Sequence, residues 1–483
     1  MITPEEKTKK PRSKKANFIL CILSSVFLSL GAGSLMVLGN FNVYIVSYIH
    51  EAPSQNYVNL QYGNLMVPIL TFAMTCFSPI SGPIEKKCGP KFTIILGQII
   101  IGIFLILFYF QQNIWFAYVI CFGIGFGYSI MAMVPVKNAC FYYPKYKGII
   151  ATSFMSFGTI FSSVFNLVGE KIIVNPKGKK IIDGFYPVEV SKNIKTLFIY
   201  IGIISTIGTL FGIICFIQYN QSFEEDENNI TSSNDHNIEF LKRDENYNLG
   251  IKKILKNYRI WLIAIFGCLS AFYCGFALNT FRTFISLTQT TEEDTQFIQY
   301  LGSIILICLC ISGPIWGFLS DKLRFRITII TILFLGILDS VGLSIFLNHK
   351  IMYRILICAC TIILSGIMSV LNPHIMEVFG IKYSLELTGI AGLFSGIANL
   401  CGAIISFVFG IIWSKAEEII EPYRIVFIVG ASFSIIAFIL QWFEPSKKFE
   451  FNIGEVVEQK TDNKNNKEDE ILRPSNVTID SNY

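Results

Sequence analysis

The sequence predicts an all-α polytopic membrane protein with twelve transmembrane helices in two six-helix bundles. Three observations predict it. Apolar runs long enough to cross a bilayer recur along the chain, one polar stretch divides them into two sets of six, and charge is scarce. Hydrophobic residues make up 52% of the 483 residues and charged residues only 15%, with 43 phenylalanines, whereas a soluble domain carries about 25% charge. The net charge of +5 sits mainly in tails and loops. There it orients the chain in a lipid bilayer, so no nucleic-acid partner follows.

Taken in order, residues 1–16 form a polar tail with six cations, Lys7, Lys9, Lys10, Arg12, Lys14 and Lys15. The apolar run from Phe18 to about Ile49 is too long for the core of a secretory signal and has no convincing cleavage site. It reads as span 1. Span 2 covers about Gln61–Gly82, span 3 Phe92–Phe110, span 4 Ile114–Val136, span 5 Gly148–Val168 and span 6 Thr196–Tyr219. Each approaches or exceeds the roughly 20 apolar residues that cross about 30 Å of hydrocarbon. Residues 220–257 are rich in Asn, Glu, Asp and Lys, and lack the apolar content to fold alone. They read as a linker between halves at 17–219 and 258–443. Its basic end, Lys252, Lys253, Lys256 and Arg259, suits anionic headgroups. Spans 7 to 12 then follow at about Ile260–Leu287, Phe297–Gly317, Ile327–Leu347, Met352–Val378, Leu387–Trp413 and Tyr423–Phe443, and residues 444–483 read as a disordered tail.

Lys and Arg on the side of the N-tail outnumber those on the opposite side by roughly two to one, which puts both termini in the cytoplasm. Residues 169–195 dissent with six lysines, but longer loops obey the rule less strictly. Whether the membrane is the plasma membrane or an organelle's stays open. The thirteen cysteines follow the apolar runs and read as packing residues. Cys308/Cys310 and Cys358/Cys360 are spaced by two, so each pair points to different sides of its helix and makes a poor metal or disulfide site. No Gly-rich phosphate loop, Ser/His/Asp set or metal cluster emerges. The sequence therefore predicts neither an enzyme, a cofactor nor ATP drive. A monomer is expected.

Two loops repeat at equivalent places. After span 8 the chain reads Gly317-Phe-Leu-Ser-Asp321-Lys322-Leu-Arg324-Phe-Arg326; after span 2 it reads Gly82-Pro-Ile-Glu85-Lys86-Lys87-Cys-Gly89-Pro-Lys91. Pro135 and Pro373 make a second echo, each followed by a small-residue-rich span opening with Gly148-Ile-Ile-Ala-Thr or Gly389-Ile-Ala-Gly-Leu. Both loops resemble the Gly-x-Leu-x-Asp-(Arg/Lys)-x-Gly signature of the major facilitator superfamily. Gly123-Ile-Gly-Phe-Gly127-Tyr128, Phe141-Tyr-Tyr-Pro144-Lys-Tyr-Lys147-Gly148, Gly89-Pro90-Lys91 and Glu377-Val-Phe-Gly380 resemble its oxalate/formate antiporter and monocarboxylate carrier branch. The resemblance implies alternating access, with spans 1, 4, 7 and 10 lining a cavity. It also implies that Asp321 caps a helix of the opposite half, making Asp321, Lys322, Arg324 and Arg326, with Gly82, Glu85, Lys87, Gly89 and Lys91, the gating set. Lys86 stands where the first loop should carry its aspartate, so Asp321 is expected to bear more of the latch.

Polar groups on the cavity spans are the candidate solute contacts, since an intramembrane ionisable group is costly unless paired or solvated. Arg282, with Asn279 one turn below it on span 7, is an anion anchor through its planar guanidinium. Lying roughly 33 Å along its helix, it also reads as a headgroup-seeking cation. His374 beside Pro373 is a solute contact or carrier of a coupling proton, or else a helix-end histidine bonded to a freed carbonyl. Asn40, Asn42 and Tyr44 on span 1 and Tyr128 on span 4 are cavity contacts or interhelical hydrogen-bond partners. Lys137 reads as an interface anchor and Asp339 on span 9 as a structural or lipid-interface residue. The expected function is a secondary-active or facilitative transporter of a small organic solute, with a monocarboxylate-like anion favoured. Alternatives are an amino-acid or other metabolite carrier and a non-transporting sensor or scaffold. Spans 8 and 11 lack the basic residues that the resembled carriers place there, which weighs against a dicarboxylate.

Overall fold

The structure, a computed structural model, describes residues 14–36, 38–52, 58–142, 147–169, 185–218, 255–288, 292–323, 325–379, 384–412 and 416–441. Most of the 220–257 linker, nearly all of both tails and Arg324 lie outside these residues. Helices account for almost everything described. Helices α1 (Lys14–Met36) and α2 (Leu38–His50) form span 1 on either side of residue 37. A 3-10 turn (Leu60–Leu65) leads into α3 (Met66–Cys88), followed by α4 (Pro90–Tyr109), α5 (Ile114–Met131), α6 (Met133–Tyr142), α7 (Lys147–Val168), the short α8 (Val188–Ser191) and α9 (Ile194–Cys215). The second half holds α10 (Tyr258–Thr288), α11 (Glu292–Lys322), α12 (Phe325–Phe346), α13 (Lys350–Phe379), α14 (Ser384–Ile412) and α15 (Ala416–Leu440). Eleven helical stretches among the described residues are long and apolar enough to cross a membrane, and Ala16–Leu30 is a shorter apolar helix within span 1.

Local chemistry explains the boundaries. The Asn113 side chain accepts the Trp115 N–H at 2.9 Å and starts α5. Helix α5 yields to α6 at Ala132, because Pro135 has no N–H to offer the Met131 carbonyl. Gly89 joins α3 to α4 at φ +86°, a conformation disfavoured by any Cβ, and Pro90 follows as the first residue of α4. Amphipathicity is inverted relative to a soluble protein. On α9 the exposed stripe is Ile199, Ile203, Ile207, Leu210 and Ile214, while Ser205, Gly208 and Gly212 face inward.

Packing repeats with the sequence. In the first half α3 packs on α5, α5 on α4, α4 on α9, α9 on α1 and α1 on α7. The elements six spans later repeat every pair: α11 on α13, α13 on α12, α12 on α15, α15 on α10 and α10 on α14. Buried apolar side chains fall into two large clusters, one within 28–216 joined by Met376 and one within 260–437. Between the halves, α7 runs along α11 and α3 along α14. These two seams depend on small residues. A Cβ on Gly317 would lie 2.9 Å from the Gly148 carbonyl oxygen, and one on Gly389 would lie 2.6 Å from Pro79 Cδ, so larger side chains would force the helices apart.

Candidate functional site

Polar bonds between the halves gather at the two ends of the seams. At the end carrying the α11–α12 turn, the Asp321 carboxylate accepts the Gly148 N–H at 3.1 Å and the Ile149 N–H at 3.0 Å. Donors in the first turn of a helix have no intrahelical carbonyl, and the positive end of the helix dipole adds to their attraction for an anion. At the matching place on the other seam the charges are inverted. Lys86 Nζ donates to Glu386 Oε1 at 2.8 Å, with the lysine side chain 46% exposed and the glutamate 4%. Glu386 stands in the first turn of α14, where it faces the favourable end of that dipole. Gly82 packs so closely on its carboxylate that an added Cβ would collide with it. Glu85 turns away from the seam and pairs with Lys137 of α6 at 2.9 Å. Lys137 is buried in that pair rather than placed as a headgroup anchor.

At the opposite end, buried Arg282 donates through Nη1 to the main-chain carbonyl of Asn40 on α2. Next to it Thr283 Oγ1 donates to Asn64 Oδ1 at 2.6 Å, while Asn64 Nδ2 donates to Gln61 Oε1 at 2.9 Å and to Ser406 Oγ at 3.0 Å. Asn166 Nδ2 on α7 donates to Ser303 Oγ on α11 at 2.7 Å. Residues of both halves thus meet in a buried neutral network around one arginine.

The two ends are a membrane's thickness apart. Ser303 and Asp321 on α11 are separated by eighteen residues, about 27 Å at 1.5 Å per residue, against a hydrocarbon core of about 30 Å. Midway lies a layer of hydroxyls. Gly313 on α11 is eight residues from Asp321, Ser156 on α7 eight from Gly148, and Ser395 on α14 nine from Glu386. A Cβ on Gly313 would lie 3.0, 3.4 and 3.9 Å from the hydroxyls of Ser156, Ser365 and Ser369. The Ser156 and Ser395 hydroxyls are buried with no hydrogen-bond partner among the described residues. Buried charged side chains among those residues are Lys137, Arg282, Asp339 and Glu386. Three sit at the ends and Asp339 inside the second half. The layer around Gly313 is polar but uncharged.

The residues expected to line a cavity do not converge. Arg282 and Asn40 meet at the seam end. Asn42 packs beside Gly63, and Tyr44 stacks on Tyr186 with ring centroids 4.4 Å apart. Tyr128 lies in the first-half core, its hydroxyl without a partner among the described residues. Asn279 donates to Asn399 Oδ1 at 3.2 Å, within the second half. His374 stacks on Phe325 at 3.5 Å, near the Asp321 end. Of the gating set, Asp321 bridges the halves directly and Gly82 lets Glu386 approach. Lys322 lies over the Phe318 ring, 5.7 Å from its centroid, and Lys87 and Lys91 are exposed. Arg326 is half-buried. Sequence reasoning missed Glu386 and the serine layer. The available signals were a lone acid opening span 11 and the match between Pro79-Ile-Ser-Gly82 and Pro314-Ile-Trp-Gly317, which aligns the two seams.

A family model described as the Major Facilitator Superfamily matches residues 23–291 and 268–461. A crystal structure of the nucleoside transporter NupG, an aspartate-to-alanine mutant, superposes with a TM-score of 0.57 at 12% identity, over 87% of this chain and 99% of that one. That likeness concerns the fold alone. No curated protein matches the chain by sequence.

Proposed function

The chain belongs to the Major Facilitator Superfamily and is an integral membrane transporter of small solutes rather than an enzyme, and on that premise we propose that it works by alternating access on an uncharged, hydroxyl-bearing solute. The observation that carries this reading is the depth pattern. Bonds between the halves cluster at both ends of the seams, and unpartnered hydroxyls lie halfway between them. In repeat-built transporters the solute site lies near the midplane and the halves rock about it. Each latch consists of a few hydrogen bonds worth about 1 kcal/mol apiece, or about 1.5–3 when charged. Differential contacts with a small solute are enough to tip such a balance. The lysine and arginine distribution makes the Asp321 end cytoplasmic, with the halves spanning 17–219 and 258–443 and the protein acting as a monomer.

A monocarboxylate fits this layer poorly. Near Gly313 it would find hydroxyls but no cation among the described residues, and an unpaired buried carboxylate costs several kcal/mol. Arg282 would have to release Asn40 before serving as its anchor. The test is counterflow in liposomes with labelled polyols, nucleosides, amino acids and monocarboxylates. Neutral hydroxyl-bearing solutes are expected to exchange. Ser156→Ala should raise their KM roughly tenfold, equivalent to about 1.4 kcal/mol, while Arg282→Ala changes rate more than preference. Selective exchange of monocarboxylates that disappears in Arg282→Ala would overturn this choice of solute.

A further inference from the structure

Asp339 is out of keeping with its surroundings. It lies fourteen residues into α12, about 21 Å from the start of the helix, well inside the apolar stretch Phe325–Phe346. It is only 4% exposed, on a stripe with Gly336, Ser340 and Leu343, while Phe334, Leu335, Leu338 and Val341 face outward. It is therefore neither a lipid-interface residue nor a paired one, because both carboxyl oxygens lack a hydrogen-bond partner among the described residues.

Its neighbours define what it can hold. From α10 come Tyr273 and Cys274, and from α13 Cys360; Tyr273 and Cys360 lie within electrostatic reach of Asp339. The Tyr273 hydroxyl is also buried with no hydrogen-bond partner among the described residues, 3.2 Å from where a Cβ on Gly336 would stand. Of the other titratable groups on the surrounding helices, Tyr353 on α13 and Tyr423 on α15 pack against Phe284, with ring centroids 4.9 and 5.0 Å away. Arg424 on α15 is engaged by Glu421 and, at 3.2 Å, by the Ser344 carbonyl. Arg354 lies in the opening turns of α13, half-buried, and Cys308 and Cys310 on α11 are half-buried free thiols. Ser340 spends its hydroxyl proton on the Phe427 carbonyl at 2.7 Å. A bare carboxylate in hydrocarbon is costly unless it is neutralised. An alkali cation would need a cage of oxygens, and here one carboxyl and one phenol share the site with two thiols, which are soft ligands. A proton needs no cage.

We infer that Asp339, with Tyr273 beside it, is a proton-binding site inside the second half, taking up one proton as the carboxylate becomes the neutral acid and returning it to water as the helices around it move. The consequence for solute movement, that it is coupled to a proton gradient, rests on the transporter reading; the proton site itself does not.

Infrared difference spectra of the full-length protein in liposomes, recorded as the pH is stepped, test the site. The wild type should show a carboxylic-acid band that vanishes on alkalinisation, is absent from Asp339→Asn and is shifted in Asp339→Glu. It should be unaffected by exchanging sodium for potassium. A band absent at every pH, present unchanged at every pH, or displaced by an alkali cation at fixed pH would overturn the proposal. With a solute found by counterflow, Asp339→Asn should keep downhill exchange but lose accumulation driven by an imposed pH gradient; full accumulation would overturn the coupling. A titrating band without transport of any solute would instead leave the proton site standing and defeat the transporter reading.

Discussion

The α7–α11 and α3–α14 seams occupy equivalent places in the repeat and are closed by opposite chemistry. Backbone and packing features recur: Pro314 and Pro79 lie three residues before Gly317 and Gly82, and a helix of the other half starts against each glycine. The charges do not recur. One seam is held by an acid accepting main-chain N–H groups, the other by a lysine reaching an acid that has moved to the partner helix. Close packing fixes the small residues, whereas a latch needs only complementarity and can place its charge on either helix. The seams also differ in where desolvation falls. Asp321 is half-exposed, while on the second seam Glu386 is buried and Lys86 half in water.

That asymmetry predicts the largest effect for Lys86. Removing it strands the buried Glu386 carboxylate, whose second oxygen has no partner among the described residues, and a buried charge left without its partner is destabilising by more than an exposed pair contributes. Lys86→Met should therefore lower thermal stability in detergent markedly, and Lys86→Asp should lower it further by juxtaposing two acids. Combining Lys86→Asp with Glu386→Ala should restore most of the loss by recreating the arrangement of the other seam. A double variant no better than Lys86→Asp would mean that the seams are not interchangeable.

The Asp321 cap should give a smaller loss. Asp321→Asn retains an acceptor oxygen but forfeits the charge, which is worth about 1 kcal/mol at a helix N-terminus. The effect should appear as a faster reaction of a cysteine label placed at the Asp321 end and a changed exchange rate, with solute affinity nearly constant. Unchanged label accessibility would remove Asp321 from the gate.

Much of this was legible in the sequence. Apolar length alone located the spans, and the paired loops located one end of each seam. Arg282 stands out in the sequence as an anion anchor or a headgroup-seeking cation, but periodicity gives the face a residue occupies and not the neighbour it meets. Its partner, the Asn40 main chain, leaves no mark in side-chain pattern. For the same reason the stacking of Tyr44 on Tyr186 and of His374 on Phe325 leaves no mark in the sequence pattern. Glu386 is hidden because the apolar run of span 11 opens at Leu387, whereas the helix itself starts at Ser384. Asp339 reads as structural because span 9 is peripheral, although the stripe of Gly336, Ser340 and Ser344 marks its face as the inward one.

The smallest expected effect discriminates best between the seams. Glu386→Gln leaves an acceptor for Lys86 and relieves a buried anion, while the half-exposed ammonium returns to water. Exposed pairs contribute only about 0.2–1 kcal/mol, so stability should change by less than about 1 kcal/mol, in contrast to Lys86→Met. Screening supplies the sharper readout. At about 1 M salt the Debye length falls to about 3 Å, so label accessibility at the Lys86 end of the wild type should rise with salt, and Glu386→Gln should abolish that rise. The Asp321 end should respond to salt in both proteins alike, since its carboxylate is untouched. If Glu386→Gln instead destabilised as much as Lys86→Met, the burial of Glu386 would not be what distinguishes the two latches, and the charge inversion would be a matter of attraction alone.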